Sequence, residues 1–392
     1  MKDISAATEK PNTRRSTRNS RLSEIETVSA FRDTALRFAK REIAPMLAVE
    51  GRDGDLSMLP SIMVKAREAG LAATASPDDP GYEYGVWGRA SLTDSAAASL
   101  AVLEELASSC AGVAACVHMT GLGAAELDKE RGKASVAFFD DALSFDWDLI
   151  ERPADGSAVL TGSTGAWRLS GAKQFVYSSP GMDSYVVYAA HKGRWARIFL
   201  PRDAKGLNET TPGQRIGLSA LVATDLKFDQ IAIRNEWLMP DRSPAPFVRM
   251  SMLGMAAIAV GNARGALDAA SAYAAERKQG GVMLEQHGAI RLLIGDARSR
   301  IEQCAGFLQS IGERPAGDDA NALREAFVAK LRITLDCAQA VTDCLQIFGG
   351  YGYMEDYRME KRLRDAAALK AAVLRPDALR GLCASFASGA DR

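Results

Sequence analysis

Three glycines within four residues, Gly349, Gly350 and Gly352, form the part of the sequence best suited to close contact with a ligand. Each lacks a Cβ atom, so the backbone can adopt a positive φ or lie flat against a large planar group. A helical pattern runs into this segment, and a charged one resumes at about Glu355. Two interpretations are open at this point: a helix C-cap followed by a turn, and a surface that a ligand approaches closely.

The histidines and cysteines do not follow a metal-binding or nucleophile pattern. His118, His191 and His287 are far apart in the sequence and lack the spacing of a zinc site or a Ser-His-Asp triad. The six cysteines are scattered through helical patterns without close pairing. We therefore predict structural roles for the histidines, no metal site, and a reduced, cytoplasmic protein whose cysteines are small buried residues.

Helical periodicity on both sides of a β-rich middle segment predicts three domains. From about residue 22 to 143, apolar residues recur three and four positions apart, which predicts an N-terminal α-helical domain. Residues 144–240 change to short alternating strands, which predicts a small β domain, a barrel or sandwich. Residues 241–392 are helical again, and a stripe with a period of four that includes Leu323 and Phe327 predicts the core of an antiparallel four-helix bundle.

Composition excludes several classes of partner. The chain has 392 residues, of which 47% are hydrophobic and 25% charged, and a net charge of −1 gives no electrostatic basis for binding nucleic acid or an anionic membrane. The longest apolar run, about residues 252–261, is too short to span a bilayer. Residues 1–21 carry six basic and two acidic side chains with almost no large apolar ones, which predicts a disordered arm.

The string QIFGGYGY and the following DYRMEKRLRD resemble the C-terminal motif of the acyl-CoA dehydrogenase family, Q-x-x-G-G-x-G-Y and Y-P-x-E-x-x-x-R-D, with Arg358 in place of the proline. Tyr273 to Ile290 resembles the family's Y-x-x-x-R-x-x-F-G motif, and Trp167 to Ser179 resembles its N-G-x-K-x-W-I-T-N strand beside the flavin. The order of helical, β and helical domains is also that of the family. The resemblance implies an α+β multidomain flavoprotein that binds FAD and acts on an acyl thioester carried by CoA or a carrier protein.

The same resemblance assigns cofactor contacts to two groups of residues. Arg277 would contact the FAD pyrophosphate of a neighbouring subunit, a task that suits a guanidinium, although alone it could be a solvated charge at a helix end. The ADP portion of that FAD would meet Gln346, Gly349 and Gly350. The isoalloxazine ring would be lined by Phe175, Val176, Tyr177 and Ser178. Because two chains would complete each site, the resemblance implies a homodimer or homotetramer, or a heteromeric assembly.

Both positions at which the family carries its catalytic glutamate hold other residues. Counting from the R-D pair of the C-terminal motif places one position at Val373, and counting back from Arg277 places the other at Ser251. Neither side chain can remove an α-proton, which is the task of that carboxylate. Asp377 is the nearest carboxylate beyond Val373 and is the candidate for a displaced base, the alternative being an ordinary helix N-terminal residue.

Other motif positions also depart from the family. Arg249 and Met252 stand where L-D-x-x-R would hold the acyl-pantetheine arm, and Tyr177 replaces the threonine of the W-I-T strand. The T-E-P-x-x-G-S-D loop survives at best as Glu151 to Ser157, whose residues 154–157 fit a hairpin turn equally well.

Three functions follow from this combination of a retained FAD motif and a missing glutamate. The first is an FAD-dependent oxidoreductase that acts on an acyl thioester with a displaced base. The second is a flavin-dependent oxygenase or desulfinase of the same fold, whose chemistry needs no α-proton base. The third is a non-catalytic partner subunit that helps to shape the site of a heteromeric acyl-CoA dehydrogenase.

Overall fold

A computed structural model of the chain describes residues 13–73, 86, 87, 95–127, 133–139, 153, 158–314 and 320–387. The N-terminal part is helical, as predicted. Its α-helices are α1 (Thr13–Phe38), α2 (Ala44–Ala48), α3 (Leu59–Glu68), α4 (Ala97–Ser109) and α5 (Ala111–Glu126). A π-helical turn, Ala39–Ile43, joins α1 to α2 without a break in the helical backbone.

Helix α1 extends into the segment for which the sequence predicted disorder. It begins at Thr13, so residues 13–21 lie in a helix, and residues 1–12 lie outside the described residues. Adding residues to an existing helix costs less than nucleating a new one. The buried residues Ala35 and Phe38 hold the C-terminal half of α1 against the core, and the polar half continues the same helix.

The middle of the chain forms one eight-stranded sheet. Its strands are β1 (Ala134–Ala137), β2 (Val159–Thr161), β3 (Trp167–Ser178), β4 (Ser184–His191), β5 (Arg194–Pro201), β6 (Leu207–Thr210), β7 (Val222–Ile233) and β8 (Leu238–Met239). They lie in the order β6-β7-β3-β2-β4-β5-β8, and β1 pairs in parallel with β4. The sheet therefore begins at Ala134, inside the segment predicted to be helical, because β1 is too short to show an alternating pattern.

The two faces of the sheet belong to two different cores. Alternate residues of β4 point to opposite sides, as the pleat requires. Val186 and Tyr188 join the core that the helices share, whereas Val187 and Ala189 pack in a second core within the β domain. One face of the sheet is therefore fixed directly against the helical domains.

The remaining described residues are helical except for two short antiparallel strands, β9 (Lys278–Gln279) and β10 (Val282–Met283), which confirms the predicted order of helical, β and helical parts. The α-helices of this part are α6 (Ala245–Glu276), α7 (Gly288–Gly312), α8 (Ala320–Ile347), α9 (Met359–Ala371) and α10 (Pro376–Ala387). Helix α8 packs against α6, α7 and α9. Leu323 and Phe327, at 4% and 0% exposure, confirm the predicted core stripe of α8.

A buried charge cluster fixes the β domain against the N-terminal helices. Glu126, at the end of α5, accepts hydrogen bonds of 2.8 Å from the Tyr188 hydroxyl and from Arg197. Arg197 and Glu126 are each only 1% exposed. Burial raises the pKa of Tyr188 well above its usual value, and the neighbouring Glu126 carboxylate adds to this, so the hydroxyl remains a donor. Because an unpaired buried charge is costly, the cluster favours one orientation of the two domains.

Candidate active site

A bulge in β3 shapes one side of the candidate site. The pairing of β3 with β7 shifts register between Lys173 and Val176, and Phe175 adopts a positive φ of 48°. The Phe175 N–H donates to the Asp225 side chain at 2.8 Å instead of to the β7 backbone. Lys173 anchors the start of the bulge through a 2.9 Å hydrogen bond to the Phe138 carbonyl. Phe175, which lies in the bulge, is 50% exposed and lines the adjoining cavity.

A cavity of about 350 Å³ lies beside this bulge. It is bounded by β3, α5, α6 and the segment from the end of α9 to the start of α10. Its lining residues are Met119, Leu122, Val136, Phe139, Gln174, Phe175, Val176, Tyr177, Phe247, Ser251, Ala371, Val373, Leu374, Arg375 and Ala378. Three of the four residues expected beside an isoalloxazine ring are therefore lining residues. The fourth, Ser178, is buried at the end of β3 and is not part of this lining.

The two positions that would carry the catalytic glutamate meet in this cavity. Ser251 comes from α6 and Val373 from the turn after α9, yet both line the same space. Ser251 is fully buried, and its hydroxyl donates to the Phe247 carbonyl within the helix at 2.8 Å. Val373 has a φ of 70°, which is strained for a β-branched residue. Residues far apart in the sequence thus converge where the counting of motifs placed them.

The lining offers little acid–base chemistry. Within the described part of the chain, none of its residues is a carboxylate. Burial raises the pKa of Tyr177, with a smaller opposing effect from Arg215, so the phenol stays protonated at neutral pH. Arg375 is the cation of the lining, and it forms an ion pair of 3.4 Å with Asp377.

Asp377, the candidate displaced base, is exposed and is paired with the lining residue Arg375. Its side chain is 56% exposed, and it is absent from the lining residues even though Ala378 is one of them. It lies in the first turn of α10, the position where an acidic residue favours the helix dipole. The structure thus gives it the surroundings of a helix N-terminal residue.

The glycine segment and Arg277 come together on another surface. The Arg277 guanidinium lies 5.3 Å from the centre of the Tyr351 ring. Tyr273 and Phe348 stack below with ring centres 4.4 Å apart, which fixes the end of α6 against the end of α8. Arg277 itself is exposed. The stacked Tyr273–Phe348 pair therefore places the Arg277 guanidinium beside the glycine turn.

The three glycines have two different roles in the fold. A Cβ atom added at Gly349 or Gly350 would meet no atom within 4 Å, and Gly349 has a φ of 56°. A Cβ atom at Gly352 would lie 2.7 Å from the Leu345 carbonyl oxygen, so that glycine is required by the turn itself. Gln346 is exposed beside the first two. Gly349 and Gly350 therefore present open backbone, whereas Gly352 serves packing.

The remaining sequence predictions concern the histidines and one loop. His191 and His287 each have a ring nitrogen 2.9 Å from a backbone carbonyl oxygen, of Leu160 and Gln279 respectively. His118 is fully buried behind the cavity wall, and burial lowers its pKa to about 4. Among the described residues, no group of three or more His, Cys, Asp or Glu could hold a metal ion. The hairpin predicted at residues 154–157 lies outside the described residues.

None of the helices in the described ranges is both long and apolar enough to cross a bilayer.

Two family models match the chain. Residues 26–130 match "Acyl-CoA dehydrogenase, N-terminal domain", and residues 248–372 match "Acyl-CoA dehydrogenase, C-terminal domain". The second match ends one residue before Val373. The matched ranges include both helical domains and Arg277, Gln346, Gly349 and Gly350.

Individual proteins are similar over different shares of their length. A caffeyl-CoA reductase–Etf complex subunit of Acetobacterium woodii is 29% identical over 207 residues, which are 50% of this chain and 54% of the relative. The chain thus spans about half the length of that relative. An acyl-CoA dehydrogenase of Bacillus subtilis is 26% identical over 350 residues, covering 84% of this chain and 89% of the relative. Glutaryl-CoA dehydrogenase from Mycobacterium smegmatis has the same fold, with a TM-score of 0.77, 17% identity, and coverage of 92% and 94%.

Proposed function

Because the chain belongs to the acyl-CoA dehydrogenase family, we propose that it is an FAD-dependent oxidoreductase that acts on an acyl thioester. The observation that carries this proposal is the cavity, since it joins the β3 bulge to both positions of the family's glutamate. The thioester would be carried by CoA or by a carrier protein. Its acyl part would lie among the apolar side chains of the lining.

The residues present fit FAD. Gly349 and Gly350 leave open backbone that a flat or branched group can approach, and Arg277 offers a guanidinium for phosphate oxygens. Phe175 and Tyr177 would lie along the isoalloxazine ring. FAD, when bound, supplies a hydride acceptor for the substrate. The family resemblance assigns the Arg277 surface to the FAD of a neighbouring subunit, so each FAD would be completed by two chains, as in a homodimer or homotetramer.

The chain's own residues would bind the thioester and keep water away from it, but they would not remove a proton. The apolar lining would keep water from the reacting carbon, and the Tyr177 hydroxyl could donate a hydrogen bond there. No lining residue among those described can accept the α-proton as a carboxylate. Loss of a general base costs about 10²–10⁴-fold in rate, so we expect dehydrogenation by this chain to be slow.

The lack of a lining carboxylate also favours a second candidate, a flavin-binding partner subunit in a heteromeric assembly. Such a subunit would keep the Arg277 and glycine surface and would not need Ser251 or Val373 to be acidic. A flavin-dependent oxygenase would also keep the FAD surface, and it too would need no acidic residue at positions 251 and 373, because its chemistry needs no α-proton base. The three functions differ in what consumes the electrons and in whether the purified chain turns over alone.

The experiment is an anaerobic titration of the purified, FAD-loaded protein with saturated acyl-CoA compounds of several lengths. The proposal predicts FAD binding, a shift of the flavin absorbance on thioester binding, and slow bleaching. Oxygen uptake during turnover of the reduced form would favour the oxygenase. A shift without bleaching, together with bleaching after a partner chain is added, would favour the partner subunit. Absence of any shift would refute the proposal.

A matched pair of variants tests the Arg277 surface. Arg277→Met should lower FAD occupancy by about tenfold, because a charge-assisted contact to phosphate is lost. Arg194→Met, at an exposed position on β5, should retain full occupancy. Equal FAD content in the two variants would remove Arg277 from the FAD site.

A further inference from the structure

Lys330 on α8 has a completely buried side chain, with 0% exposure. Its Nζ donates to the backbone carbonyl oxygens of Lys370, at 2.7 Å, and Leu374, at 2.8 Å. A buried amine is costly unless its hydrogens are donated, so these two carbonyls are what make the position tolerable.

The two acceptors lie on either side of an unusual helix end. Helix α9 ends at Ala371, and the last carbonyls of a helix have no partner inside it. The residue that reverses the chain is Val373, in the left-handed conformation that a glycine usually supplies after a helix. This conformation brings the Leu374 carbonyl back beside that of Lys370. Lys330 bridges the two carbonyls and closes a turn that has no glycine to favour it.

The same turn forms one wall of the cavity. Ala371, Val373, Leu374 and Arg375 are all lining residues, and Val373 occupies a position of the family's glutamate. Lys330 is not a lining residue, so it acts on the cavity only through the backbone that it holds.

We propose that Lys330 is a positioning residue, which holds the turn from Lys370 to Leu374 so that the side chain at position 373 faces the acyl-thioester cavity. The local part of this inference is that the two hydrogen bonds from Lys330 to the Lys370 and Leu374 carbonyls, here called the clamp, hold the turn. This part rests on geometry alone. The part that concerns the thioester rests on the proposed function.

The first test is amide hydrogen exchange in Lys330→Met. The Ala372 and Leu374 amides report on the turn, because they donate to the Ala368 and Ala372 carbonyls at 2.8 and 2.9 Å. Loss of the clamp should speed their exchange by about tenfold, the size expected for one net hydrogen bond. Thr334→Val is the matched control, since Thr334 is buried on the same helix and its hydroxyl donates to the Lys330 carbonyl, not to a carbonyl of the turn.

The second test separates a clamp from a residue that merely fills space. Val373→Gly removes the left-handed strain, so Lys330→Met should speed exchange of the Ala372 amide much less in a Val373→Gly background than in the wild type. A space-filling lysine would give the same acceleration in both backgrounds, which would overturn the proposal. Equal exchange in Lys330→Met and Thr334→Val would overturn it as well. If Lys330→Met does not fold, Lys330→Gln replaces it with the same expected directions and a smaller acceleration, because the shorter glutamine side chain can still donate through its amide.

The third test measures thioester affinity from the flavin absorbance of the FAD-loaded variants. Lys330→Met should weaken binding by about tenfold while Thr334→Val leaves it unchanged. Unchanged affinity in Lys330→Met would refute the link to the cavity. Hydrogen exchange needs neither FAD nor thioester. A wild type that binds no thioester would therefore contradict the proposed function without affecting the result on the turn.

Discussion

Replacement of Lys330 by methionine should change how the free energy of unfolding depends on pH. Burial lowers the pKa of Lys330 from 10.5 to about 7. The folded-state pKa is then below the unfolded-state value, so the unfolded chain binds more protons between about pH 7 and pH 10.5. The resulting destabilisation is greatest below pH 7, decreases as pH rises through this window, and vanishes above it. The contribution of Lys330 to the free energy of unfolding therefore becomes more favourable as pH rises.

The size of the effect follows from the two pKa values. Between about pH 7.5 and pH 9, linkage gives a gain of about 2 kcal/mol in the free energy of unfolding from this one lysine. Methionine does not titrate, so Lys330→Met should lack this gain. Cysteines and tyrosines that titrate in the same range are present in both proteins, and their contributions cancel in the difference.

The assay is urea denaturation of wild type, Lys330→Met and Thr334→Val at several pH values across that window. Wild type and Thr334→Val should gain stability in parallel with rising pH, and Lys330→Met should gain about 2 kcal/mol less. Equal pH dependence in all three proteins would show that Lys330 titrates normally. The account of a desolvated amine held by two carbonyls would then be wrong.

Two further predictions concern how the domains pack. A Cβ atom added at Gly261 would collide with the Glu104 backbone oxygen, so Gly261→Ala should lower stability by about 1–3 kcal/mol in a thermal melt. Gly295→Ala adds a Cβ with no atom within 4 Å and should raise stability by up to about 1 kcal/mol. A loss of stability in Gly295→Ala would contradict the distinction between a glycine in close contact and one in open space. Arg197→Met removes the cation 2.8 Å from the buried Glu126 carboxylate and leaves only Arg242, 4.0 Å away, among the described residues that pair with it. The substitution should cost about 3–5 kcal/mol in urea denaturation, and a cost below about 1 kcal/mol would contradict this account.

Much of the fold could be predicted because periodicity reports burial. The stripe of α8 is buried as its spacing indicated, and the order of helical and β parts follows from the change of period from 3.6 to 2. Short elements could not be predicted this way. Strand β1 has four residues, too few for an alternating hydrophobic pattern to be recognised. Its place is set by pairing with β4, fifty residues later.

The candidate site was predictable only where a motif marked it. Phe175, Val176 and Tyr177, which the resemblance assigns to the isoalloxazine ring, lie in the cavity lining. Ser251 and Val373 converge in the same cavity although the sequence separates them widely. Nothing local indicated the positive φ of Phe175, which depends on a register shift against β7.

Lys330 illustrates what sequence alone could not give. The only available signal was a lysine between buried apolar residues of a helical stripe, and long charged side chains usually reach solvent from such positions. Its acceptors are backbone carbonyls forty residues away, and carbonyls carry no sequence signature.

The central claim is that this cavity is a flavin and acyl-thioester site without the family's carboxylate. Its most direct measurement uses Val373→Glu, with Val373→Gln as the control. Both are loaded with FAD and mixed anaerobically with a saturated acyl-CoA while the flavin absorbance is followed. The account predicts that the glutamate variant bleaches about 10²–10⁴ times faster than the wild type and that the glutamine variant does not. Equal bleaching rates in the two variants, with FAD content and thioester binding unchanged, would contradict it.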